Sequence, residues 1–465
     1  LLAMISFHLL SFRVSDSMPS NAVSTQALDT PMNPLYRNDK PGQFPPSWYA
    51  ASADTPAARP SLDTDMTVDV CVIGAGFTGL SAARDLAARG FDVVVLDAHR
   101  VGFGASGRNG GQVGSGYNWD QRTLAKSLGN ETATGLWTLA EEAKQDIRDI
   151  CAAHIPEARF RPGVAHGFYS AKEAAHYIRD TEYLSENYGY DQISVVGEAD
   201  MRELVKSPLY HGGILDMGAG HMHPLRYVIG LARLAEEAGA RIFELTEVTK
   251  ITQGAPVRLC TPNGTVTARH VVIAGNGYLP NIDRKTAAKV MPINSFICAT
   301  EPLGDRAATV LARDIAVADS KFVVNYYRMS EDNRFLFGGR ESYGIGFPTD
   351  INTALIQRMT TLFPQLNGVK IDYSWGGTLG ITMTRLPAVQ RVAPNIVSGA
   401  GFSGHGVALS GLAGKIMAEA IAGQAARFDT LSALKVPNFP GGPTFRAPLL
   451  TLAMTWYALR DRLGV

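Results

Sequence analysis

The spacing of apolar positions changes several times along this chain, and each change marks an element. Residues 68–73 are a β-branched apolar run, carrying Val68, Val70, Val72 and Ile73, of the kind a strand buried on both faces needs. Leu80, Ala83, Leu86 and Ala87 then recur at helical spacing, and Gly90 stops that helix. A second apolar run, Val93–Leu96, closes on Asp97. Residues 68–97 thus predict a strand–turn–helix–strand unit, a parallel βαβ of about thirty residues.

The pattern repeats with variations. Residues 121–160 predict one or two helices with charges along one face. Residues 218–245 begin a second αβ passage, with Pro224 in the first helical turn and Leu231, Leu234 and Ala235 on the apolar face. A strand pair is expected at 246–260 and 264–268, then a buried strand at 271–274 that breaks into Gly275-Asn276-Gly277. From 291 to 380 the pattern shortens to strands and hairpins, with Glu331-Asp332-Asn333 as a tight turn. The α/β pattern returns at 393–423, as a strand at 396–397 and a helix from 407 to 421. The segment PPSWYAAS at 45–52 reads as extended.

Between these elements lie three glycine-rich stretches. Gly74-Ala75-Gly76-Phe77-Thr78-Gly79 joins the first strand to its helix. There Gly74 permits the tight turn, Gly76 admits a pyrophosphate close to the backbone, and Gly79 lets helix and strand pack. The helix start supplies free N–H groups and partial positive charge. Asp97, 23 residues beyond Gly74, stands where an acid meets a ribose diol. A second stretch, residues 100–112, holds Gly102, Gly104, Gly107, Gly110 and Gly111, too many for a helix or strand interior. It predicts a loop lying against a flat ligand. A third, Gly399 to Gly406, leads into the last helix.

Composition narrows the function classes. The chain has 465 residues, enough for two or three lobes, with 46% hydrophobic and 18% charged residues, as in a large enzyme with a sizeable core. Lys plus Arg and Asp plus Glu are equal at 43, and no basic block occurs, which argues against nucleic acid or an anionic membrane as partner. The four cysteines have no CxxC or CxxH spacing, so neither zinc nor a disulfide framework is expected and a cytoplasmic location fits. His221 and His223 lack further ligands nearby, and no metal is expected. The apolar run LLAMISFHLL is too short for a membrane span; Met18 and Met32 are candidate natural starts.

With these stretches in hand, the chain resembles the FAD-dependent D-amino-acid oxidase/glycine oxidase superfamily, and within it the branch of γ-glutamylputrescine oxidases. The likeness rests on WYAAS, DVCVIGAGFTGLSAARDL, VGFGASGRNGGQ, GAGHMHPL, AGNGYL, FPQLNGVKIDYSW, GFSGHGVALSGLAGK and LRDRLGV, and covers residues 47 to 465. It implies a mixed α/β fold, a Rossmann-like FAD-binding domain with an inserted substrate domain on a mixed, largely antiparallel sheet. The expected division is a disordered tail at 1–45, FAD-binding parts at 46–150, 218–290 and 385–430, substrate-domain parts at 151–217 and 291–384, and a C-terminal tail at 431–465. The cofactor is expected to be FAD, held without a covalent bond, since Cys298 has no attachment motif around it. Its pyrophosphate would lie on Gly74, Gly76 and Gly79, and its ribose on Asp97. Arg108, Asn109, Gly110 and Gly111 would border the ring system, and Ser403, Gly404, His405 and Gly406 would face its pyrimidine end. Phe77, Thr78, Ala105, Ser106, Gln112, Gly401 and Phe402 are further cofactor-binding candidates. Val248 and Gly275 complete the cofactor set.

The chemistry implied is oxidation of a primary amine of γ-glutamylputrescine type. Hydride passes to flavin N5, and the products are an aldehyde, ammonia and hydrogen peroxide. The partners are thus a small-molecule amine and dioxygen or another electron acceptor. His405, His223 and Tyr327 are the candidate catalytic residues; Tyr326 and Trp375 are candidates for an aromatic wall, and Arg340 for a substrate carboxylate. Each has a structural alternative, because aromatics and buried histidines are common core residues and arginines are commonly solvated. Glycine, sarcosine or a D-amino acid remain alternative substrates, and a dehydrogenase using another acceptor an alternative reaction. An NAD-dependent dehydrogenase or a non-enzymatic nucleotide-binding protein would leave the third glycine-rich stretch without a role.

Overall fold

The computed structural model describes residues 33–279, 282–321, 323–342 and 346–440. Two sheets organise the described residues. The first has eight strands, and its parallel centre runs Ile396–Ala400, Thr265–Ile273, Met66–Ile73, Val93–Leu96, Arg241–Phe243. Ala388–Ala393 pairs antiparallel at one edge, and the hairpin Lys250–Thr252 with Val257–Cys260 attaches to Thr265–Ile273. The register places Ile73 between Leu96 and Ile273, so the central strands end together, as a ligand site at their carboxyl ends requires.

The uninterrupted apolar run at residues 70–73, which ends the strand Met66–Ile73, has a direct cause. Val70 and Val72 point into the core under the helices Phe77–Ala88, Pro224–Glu237 and Gly406–Ile421, whereas Cys71 and Ile73 point into a second core on the other face. Both faces are covered, so neither parity can be polar.

The second sheet has nine strands, in the order Ile371–Ile381, Met291–Pro302, Arg334–Ser342, Tyr326–Met329, Ala316–Asp319, Arg161–Gly167, Gly213–His221, Gln112–Val113, with Ile193–Val196 beside Gly213–His221. All pairings are antiparallel except Ala316–Asp319 with Arg161–Gly167. Its core, around Phe296, Tyr327, Phe335 and Phe337, is closed by the helices Asn352–Leu362 and Glu198–Leu204. The tight turn expected at 331–333 joins two of its strands, and Asn333 takes φ +59°.

Two local expectations change. PPSWYAAS is not extended: Ser47 caps a helix Trp48–Ser52 by accepting from Ala50 N at 3.0 Å, and Trp48 and Tyr49 are buried. The glycine-rich loop at 100–112 contains one helical turn, Ala105–Arg108, and leaves it into the strand Gln112–Val113, which pairs with His221 of the second sheet. Among the described residues no helix is long and apolar enough to cross a membrane. The expected tail motifs before residue 33 and after residue 440 lie outside the described residues.

Candidate active site

A cavity of about 630 Å³ opens between the two sheets and takes its lining from both. Its first half is built of backbone. Gly74 holds φ +103°, and a Cβ there would stand 2.9 Å from the carbonyl oxygen of Ala274. A Cβ on Gly79 would collide with the carbonyl oxygen of Gly74, so the helix closes on the turn only through glycine. Gly76 faces the cavity with Ser106 Oγ across from it, and that hydroxyl accepts from Phe77 N at 3.0 Å.

Three helices point their starts at this space: Phe77–Ala88 from Gly76, Ala105–Arg108 from Gly104, and Gly406–Ile421 from His405. None of the three preceding residues offers a side-chain cap. Each start keeps donor N–H groups and positive partial charge for whatever fills the cavity. Asp97 lies at the same end, accepting from Ala75 N at 2.7 Å and His99 N at 2.8 Å. Burial pushes its carboxyl up to about 6 against the pull of those two bonds.

Arg108 is buried and donates to the carbonyls of Phe103 and Gly376 and to Asp39, while its second terminal nitrogen has no partner in the protein. Tyr326 lies in the wall with its ring against the Cα of Gly110 and of Gly338, where side chains would not fit. His405 lines the cavity with Nδ1 unpartnered, and burial lowers its imidazole to about 4. His166 lines it too, with Nε2 3.2 Å from Tyr177 Oη, and burial likewise lowers it to about 4.

Most of the expected cofactor residues meet at this cavity. Gly74, Gly76, Phe77, Thr78, Asp97, Ala105, Ser106, Arg108, Asn109, Gly110, Gln112, Val248, Gly275, Phe402, Ser403, Gly404, His405 and Gly406 all line it. Gly79, Gly111 and Gly401 stand behind that surface and shape it: Gly111 and Gly401 hold φ of +75° and +72°.

Three expected catalytic or substrate residues do not reach the cavity. His223 is buried against Trp48 and Tyr49, caps Pro224–Glu237 by accepting from Arg226 N, and meets Ser52 Oγ at 3.0 Å. Tyr327 points to the opposite face of its strand from Tyr326, into the second core, where it donates to Tyr210 Oη at 2.9 Å. Trp375 is 2% exposed and donates Nε1–H to the carbonyl of Arg108, supporting the wall from behind. The backbone of Arg340 pairs with Phe296, and its side chain lies outside the described residues.

The sequence reading passed over His166, Tyr177, Asp120, Arg122, Asp180 and Asp216, all of which line the cavity. One signal was available: Asp120 caps the helix Gln121–Leu128 by accepting from Thr123 N at 2.8 Å, a recognisable start motif.

Residues 69–420 match the family model described as FAD dependent oxidoreductase, DAO. The chain is 42% identical over 418 residues to the Probable oxidoreductase OrdL of Rhizobium meliloti (strain 1021), covering 90% of this chain and 97% of that one. It is 40% identical over 421 residues to the Gamma-glutamylputrescine oxidoreductase of Escherichia coli (strain K12), covering 90% and 99%. Among solved structures, glycine oxidase from Geobacillus kaustophilus superposes with a TM-score of 0.63 at 20% identity, over 77% of this chain and 95% of that one. That likeness is one of fold.

Proposed function

The chain belongs to the DAO family of FAD-dependent oxidoreductases, and from that premise we propose that it oxidises a primary amine of the γ-glutamylputrescine type to an aldehyde and ammonia, with dioxygen as electron acceptor. The cavity fits FAD. Three helix starts without side-chain caps and the glycine turn at 74–79 leave bare N–H groups for a pyrophosphate, and Arg108 has a buried nitrogen awaiting an acceptor. The residues that would hold the cofactor are Gly74, Gly76, Phe77, Ser106 and Gly406, with Asp97 on the ribose. When bound, FAD supplies the two-electron acceptor for a hydride from the carbon bearing the amine.

The observation that carries the substrate reading is a pair of neutral imidazoles. His166 and His405 line the cavity, and burial keeps both uncharged at neutral pH. A neutral imidazole offers a lone pair to an N–H and places no second positive charge beside the amine. Tyr326 lines the same cavity and gives it an aromatic face. The E. coli relative at 40% identity supports the γ-glutamylated substrate. The four cysteines are free thiols, in keeping with a reducing, cytoplasmic setting.

Anaerobic addition of γ-glutamylputrescine, putrescine, glycine, sarcosine and D-alanine, each to a separate sample, tests the reading through the visible flavin band. Bleaching by γ-glutamylputrescine, followed by peroxide on admitting oxygen, is expected. Bleaching only by one of the amino acids would replace the substrate, and slow recolouring in oxygen would replace the acceptor.

A further inference from the structure

The cavity runs beyond its glycine-built half into an arm within the second sheet. Trp137, Val164, Tyr177, Leu184 and Ile214 make the sides of this arm, an apolar and aromatic sleeve. One part of the lining is charged: Asp120, at the start of Gln121–Leu128, Arg122 two residues on, and Asp180 of Ala171–Tyr188 come together there. Arg122 Nε donates to Asp180 Oδ1 at 2.6 Å, and the two side chains are 32% and 15% exposed. Ligand atoms of Asp120, His176 and Asp180 lie within 4.8 Å of one another, but the guanidinium of Arg122 already serves as their cation, so the spacing does not call for a metal.

His166 and His405 belong to the same lining, the latter with a buried Nδ1 that has no hydrogen-bond partner. Along the arm Ser115 donates to the buried carboxylate of Asp216 at 2.6 Å, while Lys144 donates to Ser115 from behind at 2.6 Å. The hydrogen of Ser115 is therefore committed, and its remaining acceptor capacity is what the cavity meets. A ligand lying in this space meets uncharged imidazoles, apolar and aromatic side chains, and a group of two carboxylates and one guanidinium.

We propose that Arg122 and Asp180, with Asp120, form a head-group subsite that takes the α-ammonium and α-carboxylate of an amino-acid moiety at the far end of the substrate. This assignment rests on the amine-oxidation reading and extends it. Two carboxylates beside one guanidinium carry one excess negative charge, which suits an ammonium, and the guanidinium is the planar donor a carboxylate pairs with. An amine without such a head, N-acetylputrescine for example, leaves this set paired with itself and solvent.

The probes are γ-glutamyl-n-butylamide, which has the head and lacks the terminal amine of the butyl arm, and N-acetylputrescine, which has that amine and no head. With FAD-loaded enzyme, calorimetric titration should show butylamide binding that weakens about tenfold or more in R122Q and D180N. The KM for γ-glutamylputrescine should rise by a similar factor with kcat within about twofold, since the loss falls on binding outside the reacting end. Constants for N-acetylputrescine should not move. The flavin spectrum and Tm report folding, and D180E, which keeps the charge on a longer arm, gives an intermediate loss if the amide variant does not fold. Equal losses for both substrates, or butylamide binding unchanged in folded variants, would overturn the subsite. If the unaltered enzyme neither binds the butylamide nor oxidises γ-glutamylputrescine, the amine reading itself falls; oxidation unaffected by R122Q leaves that reading standing and removes only the subsite.

Discussion

The two halves of the cavity are made of different material. The half under the first sheet is backbone: glycines at 74, 76 and 79, three bare helix starts, and one carboxylate, Asp97, that is itself held by amide N–H groups. The half within the second sheet is side chain: His166, Tyr177, Arg122, Asp180 and Asp216 from separate strands and helices. Backbone donors recognise a phosphate or a ring edge that every cofactor molecule presents alike, and they tolerate no added atoms. Side chains recognise what differs between substrates, and they can be exchanged singly. Substitutions in the first half should therefore remove the cofactor, whereas those in the second should change what is bound or when.

The largest expected effect tests the first statement. In Gly79→Ala the new Cβ meets the carbonyl oxygen of Gly74, with Val72 also close, and neither can yield without opening the turn. Overpacking of this kind costs about 1–3 kcal/mol or more. Purified protein should carry little FAD, with affinity lower by about a hundredfold on titration. Full yellow occupancy in this variant would show that the turn is softer than its packing implies.

Next in size is acid lability seated in one imidazole of each half. His166 and His405 are held near 4 by burial, below their value of 6.5 when unfolded. The unfolded chain therefore takes up protons that the folded one refuses. Their stabilising contribution is complete above about pH 6.5 and declines as pH falls towards 4, by up to about 3 kcal/mol for each imidazole. Denaturant melts from pH 7.5 to 4 should show this decline, flattened in H166N and in H405N. Because neither imidazole titrates above pH 6, the alkaline limb of kcat/KM should belong to the substrate amine and persist in both variants.

A smaller effect separates holding the cofactor from holding the fold. Asp97 is raised from 3.8 to about 6, so the cost of its buried charge is complete above pH 6, shrinks as pH falls below 6 and is gone only below about pH 4. Asp97→Asn should weaken FAD by about tenfold, the worth of a charged hydrogen bond. The same substitution should raise the Tm of the FAD-free protein relative to the parent more at pH 8 than at pH 5. A Tm difference that does not depend on pH would remove the buried charge as its cause.

The same division explains what could be read from sequence. Gly74, Gly76, Gly79 and Asp97 belong to one local unit whose spacing encodes its geometry, and the turn before Gly406–Ile421 is equally local. His166 and Asp216 become neighbours in the cavity wall because Arg161–Gly167 pairs with Gly213–His221, and no spacing announces that pairing. Tyr326 and Tyr327 show the limit at its sharpest. Adjacent strand residues face opposite ways, so one reaches the cavity and the other the core, and the turn at 331–333 is compatible with either choice. The helix Trp48–Ser52 was legible in principle through its Ser47 cap, but five residues leave no periodicity to read.

The smallest effect compares two histidines that stand at the same place in two helices. His405 precedes Gly406–Ile421 and gives that helix no side-chain cap; His223 precedes Pro224–Glu237 and caps it through Nδ1, 3.2 Å from Arg226 N. One start is left open towards the cavity, and the other is closed against Trp48 and Tyr49 with burial holding its imidazole neutral, far below the usual histidine range. His223→Ala should therefore cost about 1 kcal/mol of stability, the value of a lost cap, and His223→Asn should recover most of it. Flavin reduction by the amine should proceed at the parent rate in both. A slowed reduction in the alanine variant that asparagine does not restore would return His223 to the chemistry, and would mean that the contrast between an open and a capped helix start does not divide cofactor binding from framework.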